Sequence, residues 1–168
     1  MAARLLLCLF VFVIPALFAQ DAARVHAGDR APEIDWTGIV RSPASAQDQP
    51  NLAGQYTVLR FLPNVTSNPQ AIRLWNDMIA QFQDQPVQFV WIASERWSSV
   101  KPFLRQHPMS GWLLIDEKGE AERAYGCQFG EDVIVDPLGN IAGFTLFLGP
   151  EQLAGILDGK AVPVSRGI

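Results

Sequence analysis

Apolar and polar residues follow two different rhythms along this chain, and each change of rhythm marks an element. Tyr56 to Leu62 (YTVLRFL) is a nearly unbroken run of aromatic, β-branched and aliphatic residues closed by Pro63, so a central strand is expected there. Beyond a polar turn, Ile72, Trp75, Met78 (or Ile79) and Phe82 recur at three- and four-residue spacing, the period of a helix with one buried face. Ser67 and Asn68 are both good N-cap types. Pro69 suits a first turn, where its missing N–H is not needed, so the helix is predicted from about Pro69 to Gln83. Val87 to Ala93 (VQFVWIA) is too apolar to have a wet face and predicts a strand covered on both sides.

The same reading extends to both sides. Ile34 and Trp36 alternate with polar residues as in a short strand, and Arg41 to Gln55, rich in Ser, Pro, Asp and Gln, reads as a loop. Ser98 and Ser99 are expected to cap a helix running to about Gln106, with Val100, Phe103 and Leu104 on one face. Trp112 to Ile115 predicts a strand, Glu120 to Tyr125 a short helix ended by Gly126, and Val133 to Val135 another strand. The turn Asp136-Pro137-Leu138-Gly139-Asn140 leads to a hairpin partner from Ile141 to Leu146, and Pro150 to Leu157 is a last helix. A βαβ unit requires a parallel pair and a right-handed crossover. The expected class is therefore α/β, a central mixed sheet with helices on both faces.

Composition narrows the picture. The 168 residues suit one domain, and 49% hydrophobic content is ample for its core. Seventeen acids against 13 bases give a net charge of −4, with no basic stripe, which argues against nucleic acid as a partner. Residues 1–20 are set apart: a basic start at Arg4, an apolar run from Leu5 to Phe18, then small and polar residues. That is the layout of a signal peptide for export to the periplasm or beyond, with cleavage expected after Ala19. The run falls short of the roughly 20 residues a membrane span needs, so membrane contact is expected only if this segment is retained as an anchor. Residues 28–159 then form the domain, and 160–168 a Gly- and Pro-containing tail.

Cysteine usage follows from that division. Cys8 leaves with the signal, so the mature chain keeps Cys127 alone and has no internal disulfide.

At this point several segments resemble a known family, the exported TlpA-type redoxin domains of the thioredoxin-like superfamily. Gly28-Asp29-Arg30-Ala31-Pro32 resembles its Gly-x-x-Ala-Pro opening, Val58 to Phe61 the strand before its active site, and Pro86 to Val90 the strand that follows. Ala124-Tyr125-Gly126 and Val133 to Gly139 resemble its Tyr-Gly-Val and Leu-Ile-Asp-x-x-Gly landmarks. The resemblance implies a thioredoxin-like fold over most of the chain. It also implies two features of dithiol chemistry: a Cys-x-x-Cys at the start of the first long helix, and a cis-proline facing it. Here the two cysteine positions fall on Thr66 and Pro69, and Gly130 is the nearest occupant of the proline position.

The remaining candidates are weighed residue by residue. Thr66 and Ser67 carry hydroxyls near a helix start, where capping is the simple role and activation would need a positioned base; His26 and His107 are the available imidazoles. Cys127 is either a small apolar filler or a lone reactive thiol beside the old active-site region. Glu131, Asp132 and Asp136 are too few for an oxygen-ligand cation site, and Cys and His are too few for a thiolate–imidazole one, so no metal and no cofactor are expected. Asn64-Val65-Thr66 matches a glycosylation sequon, a pattern common by chance. Trp97, in a loop at the end of a strand, is a candidate to line a cleft with Ser67, Asn68 and Gly130.

Two functions follow from different classes. One is an exported, non-catalytic thioredoxin-like module that binds a protein partner in the cell envelope. The other is a thiol-disulfide oxidoreductase or peroxidase-like enzyme acting through Cys127.

Overall fold

The computed structural model describes residues 25–43, 48–62, 64–127 and 130–160. The expected signal segment with Cys8, Pro63 and the tail 161–168 lie outside the described residues. No helix among the described residues is long and apolar enough to cross a membrane.

Six strands form one sheet: β1 (Ile39–Arg41), β2 (Tyr56–Phe61), β3 (Val87–Ala93), β4 (Trp112–Ile115), β5 (Glu131–Val135) and β6 (Ile141–Leu146), in the spatial order β1-β4-β3-β2-β5-β6. Strands β2, β3 and β4 are parallel, and β1, β5 and β6 are antiparallel to their neighbours. Four helices complete the fold: α1 (Pro69–Gln81), α2 (Trp97–Gln106), α3 (Glu120–Tyr125) and α4 (Pro150–Leu157).

The period of two along β2 sorts the core into two layers. Val58 and Leu62 join Ile72, Trp75 and Met78 of α1, Val100 of α2, and Leu153 and Ile156 of α4 in one cluster. Leu59 and Phe61 face the other way, with Ala121 and Tyr125 of α3. Helices therefore cover both faces, as the unbroken apolar runs of the central strands require. Trp75 and Trp91 are fully buried and meet edge to face with centroids 5.5 Å apart.

Four local expectations are corrected. Ile34 to Trp36 is not a strand: Asp35 accepts a bond from the Thr37 N–H and caps a 3₁₀ turn at Trp36–Gly38, and the edge strand begins at Ile39. Helix α1 stops at Gln81, because the carbonyl of Phe82 closes the next turn by accepting from Gln85. Ser98 and Ser99 lie inside α2. Its N-cap is Arg96, which makes no side-chain cap bond, and the carboxylate of distant Glu117 takes the Trp97 N–H at 3.2 Å. Strand β5 begins two residues before the expected Val133, because Glu131 and Asp132 pair with Phe61 and Arg60 of β2.

Candidate functional site

Parallel strands bring their following loops to one end of a sheet, where open α/β folds place their sites. Here that end gathers the turn before α1, the turn before α2 and the start of β5. Thr66, Ser67, Asn68, Glu95, Trp97 and Gly130 thus share one region, linked by bonds between Thr66 and Glu95 and between the Gly130 N–H and the Phe61 carbonyl. His107 ends α2 at the other end of the sheet, and His26 is exposed beside Asp29.

Only one of the three polar residues before α1 caps it. Asn68 accepts the Ala71 N–H at 3.0 Å, and Pro69 occupies the first turn. Ser67 instead donates to the Asn64 carbonyl at 3.1 Å. Thr66 gives both of its donors to Glu95: its N–H to Oε2 at 3.0 Å and its hydroxyl, in a short bond, to Oε1. Capping was therefore the wrong role for Thr66 and Ser67. Thr66 clips the β2–α1 turn to the β3–α2 turn. Glu95 escaped the sequence reading, although the adjacency of β2 and β3 in a parallel pair was a signal that their following turns would meet. Nucleophilic use of the Thr66 hydroxyl would need Glu95 held by a third group, and among the described residues only Thr66 bonds its carboxylate.

Beneath this end lies a buried ion pair that composition gave no reason to expect. Arg60 of β2 donates Nε–H to Asp132 Oδ1 at 2.7 Å and Nη2–H to Oδ2 at 2.8 Å. The Leu148 N–H adds a third bond to Oδ2 at 2.6 Å, and the Leu148 carbonyl accepts from Nη2 at 3.4 Å. The guanidinium lies 4.8 Å from the Trp75 ring centroid. Burial pushes the Asp132 carboxyl above its usual range, while Arg60 and the Leu148 N–H pull it back down. Glu131 and Asp132 are therefore buried strand residues, not part of a surface acidic loop.

Gly130 precedes β5 at φ +76°, and the Phe147 ring lies over it: a Cβ on Gly130 would stand 2.5–3.1 Å from three ring atoms. The Phe147 N–H also donates to the Gly130 carbonyl at 3.1 Å. Among the described residues no peptide bond is cis.

Trp97 is not a loop residue. It is the first residue of α2, half-buried and packed against the α1-side core. Cys127 is half-buried on the opposite face, against the cluster of Leu59, Phe61 and Tyr125, with its thiol 3.9 Å from the Tyr125 carbonyl. Burial, and secondarily Cys127, push the Tyr125 hydroxyl above the ordinary phenol range. That hydroxyl donates to the Pro32 carbonyl at 2.8 Å. No group of three or more His, Cys, Asp or Glu among the described residues is placed to hold a metal ion.

The fold has known counterparts. The profile of the AhpC/TSA family matches residues 27–144. Among solved structures, AhpC from Mycobacterium tuberculosis is 20% identical, with 81% of this chain and 93% of that chain covered at a TM-score of 0.62. A protein described as a thiol:disulfide interchange protein, DsbE, from Chlorobium tepidum is 20% identical over 83% of this chain and 99% of that one, with a TM-score of 0.59. StoA from Bacillus subtilis is 21% identical over 62% and 82%, with a TM-score of 0.53. The likeness establishes a thioredoxin-like fold. No curated protein matches the chain.

Proposed function

The chain belongs to the AhpC/TSA family, and from that premise we propose that it is an exported thioredoxin-fold protein that binds a protein partner in the cell envelope and does not exchange disulfides. One observation carries this reading: the occupants of the α1 N-terminus. Disulfide exchange begins when a thiolate attacks a disulfide sulfur, and the mixed disulfide is released by a second thiol. Thr66 and Pro69 supply neither. Thr66 is engaged with Glu95, and Asn68 and Pro69 complete a helix cap, so this end of the domain is a well-bonded surface. Ser67 and Asn68 stand exposed on it, beside half-buried Trp97, as contacts for a partner. Export rests on the basic start, apolar run and small residues of positions 1–20.

Insulin reduction by dithiothreitol, with and without the protein, tests the redox half. The expected rate equals the background rate. Turnover that Cys127→Ser abolishes would replace this reading with thiol chemistry at Cys127. A photo-crosslinker at position 67, introduced into the protein in its native cells, tests the binding half. A discrete adduct that a crosslinker at position 158 does not form supports it, and identical adducts from both positions would refute it.

A further inference from the structure

Arg60 turns one edge of its guanidinium away from the ion pair. Nε and Nη2 are committed to Asp132 and Leu148, whereas Nη1 makes no hydrogen bond to a described residue. The side chain is nonetheless buried, with the residue only 6% exposed. Among the described residues, no fully covered side-chain nitrogen or oxygen lacks a partner. Nη1 is therefore uncovered, and Arg60 lines a cavity of about 400 Å³. The Trp75 ring, its centroid 4.8 Å from the guanidinium carbon, packs against the group.

That cavity lies between α1 and the segment joining β6 to α4. Leu74, Met78, Phe147, Leu148 and Pro150 give it apolar walls. Two of these are held out to solvent, Leu74 at 60% and Phe147 at 58% exposure. Phe147 sits at φ +50°, a left-handed conformation that costs a non-glycine residue about 1–2 kcal/mol. Backbone strain of this kind gathers where ligands are held. A concave, mostly apolar space of this size with one buried polar anchor is the usual form of a small-molecule site.

We propose that this cavity binds a small neutral amphipathic molecule, its carbonyl oxygen accepting from Arg60 Nη1 and its apolar body lying along Leu74, Met78 and Phe147. The charges decide for a neutral head group. Asp132 already balances Arg60, and Asp77 is the other charged residue lining the space, so a carboxylate would meet no unbalanced positive charge there. The site needs no thiol and does not depend on the partner-binding reading above.

The test is a titration of ¹⁵N-labelled protein with hexanamide, hexanoate and hexylamine, followed by amide and arginine side-chain resonances. Hexanamide is expected to bind saturably in the millimolar range, as suits so small a ligand, shifting Leu74, Phe147, Leu148 and the Arg60 side chain. Hexanoate and hexylamine should each bind at least about tenfold more weakly, hexanoate because Asp132 and Asp77 leave it no unbalanced cation and hexylamine because its ammonium cannot accept from Arg60 Nη1. Leu74→Glu, at an exposed position where folding is not at stake, should weaken hexanamide by a similar factor. Absence of saturable shifts with hexanamide, shifts that Leu74→Glu leaves unchanged, or equal binding of either charged probe would each overturn the proposal.

Discussion

Arg60 and Asp132 stand directly opposite each other on β2 and β5 and close a two-bond ion pair in which neither side chain is more than 7% exposed. The pair also reaches across to Leu148, so it fixes the segment between β6 and α4. Buried pairs are not automatically stabilising, because desolvation offsets most of the attraction. Removing one partner is another matter, since it strands the other charge. Arg60→Leu is expected to cost about 3–5 kcal/mol, whereas Arg60→Leu with Asp132→Leu should recover most of that loss. Urea unfolding of both variants checks it. A double variant as unstable as the single one would show that the Asp132–Leu148 bond, not the unpaired charge, dominates.

The same pair predicts a pH dependence with a definite sign. Burial raises the folded-state pKa of Asp132, and Arg60 is the main opposing influence. Removing Arg60 raises that folded-state value further above the unfolded value of about 3.9. An acid raised on folding binds more protons in the folded state, so its favourable contribution is complete below the unfolded pKa and is lost as pH rises through the folded one. The stability deficit of Arg60→Leu relative to the parent should therefore be small near pH 4 and grow toward neutrality. Adding Asp132→Asn to Arg60→Leu should flatten the profile, which urea midpoints at several pH values would reveal.

Gly130 and Phe147 make a second testable contact. Gly130→Ala meets two penalties, a φ of +76° that a side chain disfavours by about 1–2 kcal/mol and overlap with the Phe147 ring. Phe147→Ala should relieve only the overlap. In a thermal-unfolding cycle, the double variant is expected to be less destabilised than the sum of the two singles. Strict additivity would place the ring away from Gly130 in solution.

The sheet was legible because its central strands are continuous apolar runs and α1 keeps a clean helical period, signals that tertiary context reinforces. The site was legible only in part. Thr66 and Pro69 were placed at the start of α1 by their spacing from β2, and that position depends on local sequence alone. What Thr66 bonds to depends on Glu95, 29 residues away, and no local rule reports such a distant partner. Arg60 shows the same limit. A charged residue inside an apolar strand signals a partner, but its identity, Asp132, comes from an antiparallel register 72 residues removed. The expected capping by Ser98 and Ser99 failed for a related reason, because Glu117 from the turn after β4 takes the Trp97 N–H that starts the helix.

The cap and the clip at the start of α1 should separate energetically. Asn68→Ala removes a local N-cap and is expected to cost about 1 kcal/mol whatever occupies position 95. Thr66→Val removes the hydroxyl bond to Glu95 while keeping the backbone one, and its partly exposed setting limits the loss to about 1 kcal/mol. The two losses differ in their coupling to Glu95. In a Glu95→Ala background the cost of Thr66→Val should shrink toward zero, because its hydroxyl no longer has that acceptor, while the cost of Asn68→Ala should stay the same. Chemical-denaturation cycles on the three positions measure both. Equal coupling of Asn68 and Thr66 to Glu95 would mean that the turn before α1 moves as one unit, and the picture of an independent cap beside a clip would have to be given up.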